Sequence, residues 1–429
     1  MISLGLANAV LLASMVVSIW AYIFVSRREG TYLNILTPYF IVSIPAYYLL
    51  PLFFAQVFGN EGSSYAYIYV YVTLAIENVA FAYAYTRPSR SLIRLPFGYS
   101  YGNFGWLAFA LLGLAVLLYA PILIQFPEYL LDPRQIYTHT RTGYGVSFYT
   151  SSTLAYLAVI LIQFSDHSRW LKGFAILMAA VILSLHGSKG QVLSLVLLLA
   201  LLEVYAKQRK VRLVKSLVAG AVLGFLALLL MAATMALGDS PAEVMEAASS
   251  YSDYTRNAML VIDSHFPVQY GRLTLESHVI GRIPRALMPN KPKNYGALYL
   301  DDQFYPKSLD EDEGSPDFGI GVQYADFGNL AIVYLALFAI LRGWLARIFV
   351  NRLKRSRHPS DFVLVAFLAG ISLIPVGGAG WLLPEAVFIA LFLRLASGIG
   401  ADKIYRERIR MRPALTPPLP RSSDGAGSV

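Results

Sequence analysis

The chain has 429 residues, 56% of them hydrophobic and only 14% charged, with a formal net charge of +9 and no cysteine. Soluble chains average about 25% charged residues, so a soluble globular domain is excluded. The lack of cysteine excludes a disulfide framework, a thiolate metal site and a cysteine nucleophile.

Apolar runs of 18 or more residues recur along the chain, and about 20 suffice to cross a hydrocarbon core of roughly 30 Å. The first, 2–25, has no preceding basic region and no small-residue cleavage site, and it reads as a retained span. Further candidates lie at 32–57, 65–86, 103–125, 147–164, 170–186, 190–206, 213–237, 319–341, 361–377 and 381–399. The expectation is an all-α, polytopic membrane protein of about 11 transmembrane helices. Basic side chains orient them. Arg27 and Arg28 follow the first span; Arg87, Arg90 and Arg94 follow the third; Arg169 and Lys172 follow the fifth. Lys207, Arg209, Lys210, Arg212 and Lys215 follow the seventh, Arg347 to Arg357 the ninth, and Lys403 to Arg412 the eleventh. Every odd-numbered span therefore exits into a basic cluster, which puts the N-terminus outside and the C-terminus in the cytoplasm.

The expected layout places helices one to eight in 1–237, with a short outside loop at 126–146. A large outside loop occupies 238–318, helices nine to eleven occupy 319–399, and a tail fills 400–429. Pro413, Pro417, Pro418 and Pro420, followed by Ser and Gly, mark the end of the tail as disordered. No internal repeat of the kind found in inverted-repeat transporters is present.

Within the large loop, Ser240, Pro241 and Glu243 open an amphipathic helix over about 241–262, read as lying on the membrane surface. Residues 272–293 then carry Arg272, Arg282, Arg285, Lys291 and Lys293 against Glu276, a net +4. Residues 301–317 carry seven acids against Lys307, a net −6. Four adjacent acids at Asp310–Glu313 lack the glycine turn and alternating spacing of a calcium loop, so this segment reads as solvated surface. Neither metal nor cofactor is expected.

Positive charge on the translocated side runs against the usual bias, and an anion at the membrane surface is the physical reason for it. Arginine suits a lipid-linked phosphate or pyrophosphate because its planar fork makes two parallel charge-assisted hydrogen bonds. In each outside loop an arginine is followed by ten residues and then a glycine: Arg134 and Gly145 in the first, Arg285 and Gly296 in the second. Together with IPRALMPNKP (283–292), YTHTRTGYG (137–145), YADFGNLA (324–331) and HGSKG (186–190), this spacing resembles the bacterial O-antigen and oligosaccharide-repeat-unit polymerases, the Wzy-type enzymes. The resemblance implies a membrane glycosyltransferase, GT-C-like in fold and seated in the bacterial inner membrane. Its implied partners are a polyprenyl pyrophosphate-linked oligosaccharide, membrane lipids and a chain-length regulator protein, with no nucleic acid.

The implied reaction moves a growing glycan from one polyprenyl pyrophosphate onto another lipid-linked repeat unit. An O-antigen ligase, or a lipid-linked oligosaccharide flippase or transporter, is the alternative. The leaving pyrophosphate needs its charge stabilised, which points to Arg141 and Arg285 as catalytic, with Arg134, Arg272, Arg282, Lys291 and Lys189 binding it. Tyr137 and Tyr144 can stack on sugar rings or sit in an interfacial aromatic belt. For a general base, Glu276 and His278 lie inside the basic segment and Asp326 lies at the membrane edge. Glu276 is read first as a salt-bridge partner. Glu77 and Glu385, inside spans, are read as interhelical structural groups.

Overall fold

A computed structural model of the chain describes residues 4–53, 62–88, 102–129, 135–136, 144–210, 252–283, 287–306, 316–374 and 381–398. Among these residues all regular structure is helical, as hydrocarbon requires of a chain that must satisfy its own backbone hydrogen bonds. Among the described residues, five helices are long and apolar enough to cross a membrane.

Three long helices form the centre: α1 (Leu4–Glu29), α3 (Ser64–Thr86) and α12 (Ala331–Ser356). They run parallel. Ser14 donates to the Tyr71 carbonyl (2.7 Å), Asn78 to Ser18 (3.0 Å), and the Tyr85 hydroxyl to Glu29 (2.8 Å), so α1 and α3 advance together. The α3–α12 seam closes at Gly343, where a Cβ would lie 2.5 Å from the Phe81 carbonyl oxygen. Small residues of this kind let membrane helices approach closely.

At the far end of this trio the basic residues pair with buried acids. Glu29, 2% exposed, receives Arg347 and Lys354, each at 3.3 Å, as well as Tyr85. Asp361, 1% exposed, receives Arg352 at 2.9 Å and Arg394 at 2.7 Å. These two carboxylates join α12 to α1, α3, α13 (Pro359–Leu368) and α14 (Leu383–Gly398).

A second group packs beside them. α4 (Gly102–Gln125) lies against α5 (Gly145–Gln163) and α6 (Arg169–Leu185). The buried His186 ring stacks on Tyr119 at 4.2 Å and bonds Ser151 at 2.7 Å, fastening all three. α2 (Thr37–Phe53) widens into a π-helical stretch around Pro45, and α7 (Lys189–Leu201) ends in another at 202–206.

Over the Ser64 end of α3 sits a layer of short helices: α8 (Asp253–Asp263), α9 (Arg272–Val279), α10 (Leu298–Phe304) and α11 (Gly321–Phe327). Val261, Leu273, Leu300, Phe318 and Ala325 form its core. Asp263 ties it to the bundle by accepting from the Ser63 amide at 2.7 Å and from the Ser63 hydroxyl.

Several boundaries differ from expectation. The ninth span, expected at 319–341, starts at Ala331 and continues to Ser356, because Gly328 (φ +56°) turns the chain between α11 and α12. Its late arginines are accommodated by the buried acids. The tenth, expected at 361–377, is helical only over Pro359–Leu368, about 15 Å and half a bilayer core. The described part of the loop helix, Asp253–Asp263, packs Ala258, Met259 and Ile262 against α3, so it is core and not a surface float. Asp301, expected at the solvated surface, is fully buried in α10. Span 213–237, the helix start at Ser240, the acids 310–313 and the tail lie outside the described residues.

The Gly343 seam makes a direct test. Gly343→Leu should overpack it and destabilise the fold by about 1–3 kcal/mol. Gly113→Leu, where a Cβ meets nothing within 4 Å, should be close to neutral. Thermal unfolding in detergent compares the two.

Candidate functional site

The basic loop segment folds back on the bundle through α9, whose N-terminus is capped from a distance. Asp326 of α11 is fully buried; Oδ1 accepts from the Leu273 amide at 2.9 Å and Oδ2 from the Thr274 amide at 2.7 Å and the Thr274 hydroxyl. A carboxylate so placed satisfies orphan N–H groups and complements the helix dipole. This geometry makes Asp326 the cap of α9, with both oxygens engaged.

Glu276 is also engaged. It takes Arg272 one turn earlier at 2.6 Å through Oε1, and the Gly296 amide at 2.9 Å through Oε2. Arg272 in turn lies 5.1 Å from the Tyr299 ring centroid. Gly296 has φ +56°, and a Cβ there would fall 2.2 Å from Ser277 Oγ. The glycine of the second arginine–glycine spacing is thus required where the loop's return strand of chain presses on α9. Gly145 differs: it opens α5, and a Cβ there would meet only ordinary contacts with Tyr149.

At the other end of α9 a turn at 280–282 delivers Arg282 to α14. Its Nε and Nη2 grip the Glu385 carboxylate, the latter at 3.2 Å. Nη2 also donates to the Trp381 carbonyl at 2.8 Å, and Nη1 to the His278 carbonyl. Arg282 therefore clamps the loop layer to a membrane helix. Lys291 closes the same turn, donating to the Ile283 carbonyl at 2.9 Å with its ammonium 4.4 Å from the Tyr295 ring centroid.

His278 stands apart from the other acid–base candidates. Arg282 Nη1 lies 3.2 Å from its Nδ1. A guanidinium only donates, so Nδ1 carries the lone pair and the neutral ring holds its proton on Nε2. Burial and the Arg282 charge hold its pKa below the usual histidine value, against an upward pull from Glu385. The ring borders a cleft of about 690 Å³, lined also by Arg282, Glu385, Pro384, Phe388, Ile374 and Ile389. One wall is polar, with Arg282 and Glu385 offsetting each other beside the neutral His278 ring, and the other is apolar. The apolar wall continues along α14 into exposed Phe388, Leu391 and Leu395.

Tyr144 precedes α5, its hydroxyl donating to Gln125 and its ring 5.9 Å from Phe126. Lys189 begins α7. The Lys189 side chain, and Arg134, Tyr137, Arg141 and Arg285 altogether, lie outside the described residues.

Two features were missed in the sequence. Phe388 lines the cleft and the Trp381 carbonyl holds Arg282 beside it, but both look like ordinary span residues. Arg342 stands inside α12 near Glu77, and ending that span at 341 hid it. A lone arginine between apolar runs, AILRGW, was the available signal.

Two curated relatives, the O-antigen polymerases of Salmonella typhimurium and Salmonella typhi, are each 34% identical over 401 residues. The alignment covers 91% of this chain and 95% of theirs. No family model matches the chain, and no solved structure matches it.

Two measurements follow from the geometry. With histidine selectively labelled, the His278 ring should titrate below pH 6.5 by NMR. Arg282→Gln should raise that midpoint by removing a like charge, and Glu385→Gln should lower it further. Asp326→Asn places an amide against donating N–H groups and should cost about 1–3 kcal/mol. That variant should keep activity wherever its loop still resists protease. A variant folded yet inactive would make Asp326 a base.

Proposed function

The chain belongs to the O-antigen polymerase family, and from that premise we propose that its reaction is seated in the cleft between α9 and α14. There a growing glycan passes from one polyprenyl diphosphate to the sugar of another lipid-linked repeat unit. The two-faced chemistry of the cleft carries this reading. A lipid diphosphate has a polar head and an apolar tail, and the cleft offers the His278 ring, held by the Arg282–Glu385 pair, to one and Pro384, Phe388 and Ile389 to the other.

In this proposal the donor lipid slides in laterally past the exposed face of α14. The neutral His278 ring donates its Nε2 hydrogen to the diphosphate. The bond from the anomeric carbon to the diphosphate oxygen breaks as the acceptor hydroxyl oxygen bonds to that carbon. The hydroxyl proton leaves with the diphosphate. Donors preorganised where charge develops stabilise such a transition state strongly. Arg285 and Arg141 are assigned to the diphosphate oxygens for their forks, with Arg134 behind them. Arg282 acts on the ligand through its position beside His278, since its own donors hold Glu385, Trp381 and His278.

We place this cleft on the periplasmic face of the inner membrane, in a GT-C-like arrangement of eleven helices with the C-terminus cytoplasmic. Support comes from the parallel course of α1, α3 and α12, whose basic ends gather opposite the loop layer. A chain-length regulator belongs to the same proposal, with exposed Leu275, Val279 and Leu287 on the loop as its apolar contact.

Purified protein in nanodiscs, given lipid-linked repeat units, should produce a ladder of longer lipid-linked chains. A missing ladder, with the same lipid translocated across vesicles, would replace the polymerase with a flippase. His278→Asn should slow turnover about a hundredfold, on the scale of losing one such donor. Arg285→Lys should lengthen chains poorly despite its retained charge, and wild-type polymer from it would remove the fork assignment.

A further inference from the structure

Beneath the cleft lies a second chamber of about 300 Å³, and Ile374 and Ile389 line both. Its wall includes Ile371 to Ile374, the irregular stretch where α13 stops short. Non-helical backbone at membrane depth persists only where protein buries it or a cavity is lined by it. The stop itself is well made. Gly370 adopts φ +87°, its amide bonds the Phe367 carbonyl at 3.0 Å, and the Ile371 amide bonds the Ala366 carbonyl at 3.1 Å. This is a Schellman ending, and it leaves the Leu368 carbonyl to another partner.

That partner is Arg342. Its Nε donates to the Leu368 carbonyl at 2.9 Å, and a Cβ on Gly370 would lie 3.3 Å from its Nη2. Arg342 stands about 17 Å along α12 from Ala331, counting helical rise. Glu77, about 20 Å along α3 from Ser64 by the same measure, lies within electrostatic reach of it. Tyr39 borders both this chamber and a smaller one of about 180 Å³ that Glu77 lines. A cation this deep is costly without compensation, and Glu77 is an acid near enough to act on it through its charge. Its guanidinium then fixes the point at which the chain leaves α13 for the wall of the cleft.

We propose that Arg342 is a positioning residue for the polymerase reaction. By holding the break after Leu368 it sets where Ile374 stands, and so where the isoprenoid end of the lipid diphosphate lies beside His278. The proposal rests on the cleft being the diphosphate site. Displacement of that wall should weaken binding of the lipid-linked substrate in ground and transition state alike, which raises KM and spares kcat.

Arg342→Lys keeps a charge opposite Glu77 but loses the Nε donor and the planar fork. Glu77→Gln/Arg342→Gln removes both charges together and leaves no buried ion unmatched. Both should elute as folded protein from size exclusion. In nanodiscs with lipid-linked repeat unit, each should raise KM by roughly tenfold or more, with kcat within about threefold of wild type. A folded variant of either kind with wild-type KM overturns the assignment, as does a loss confined to kcat. His278→Asn run alongside separates the two readings. If it turns over like wild type, the cleft is not the site. If it is slow while Arg342→Lys keeps wild-type KM, the cleft stands and only the role of Arg342 falls.

Discussion

The clamp between Arg282 and Glu385 is the interaction on which the cleft between α9 and α14 depends. It is the point where a polar layer, folded around its own small core, is fastened to a membrane helix beside a cleft. A fork with two bonds to a carboxylate fixes orientation as well as distance. Without that registration His278 would have no defined relation to Phe388 and Ile389. Partial burial makes the pair sensitive, because removing one member leaves the other charged and unmatched.

The loop's positive charge consequently has a double character. Arg272, Arg282 and Lys291 hold the loop to itself and to α14, through Glu276, Glu385 and backbone carbonyls. In the proposed site they build the frame that holds His278 at the cleft. Charge count by itself does not distinguish a frame cation from a ligand cation, since both are arginines on the same few turns. The difference lies in which acids the fold brings up, and Glu385 comes from more than a hundred residues later.

Hydropathy and basic clusters made the membrane class and most helices legible, because bilayer thickness dictates segment length. They were least informative where tertiary contacts override the solvent argument. Asp326 looked like a membrane-edge base, but capping α9 depends on a contact 53 residues away in sequence. The premature end of α13 was invisible since residues 369–374 are as apolar as a helix would be. Arg342 was lost for the converse reason: a charge appeared to close a span that in fact continues around it. The spacing of Arg285 and Gly296 was readable, yet the reason for the glycine, its pressure against Ser277, was not.

The two buried carboxylates at the opposite end, Glu29 and Asp361, have a kinetic meaning. Between them they stitch five helices, and separating a buried charge from its partner costs about 3–5 kcal/mol. A rocking machine that exposes its interior alternately to both sides would have to undo these stitches in every cycle. The ion pairs make this end the costlier one to open.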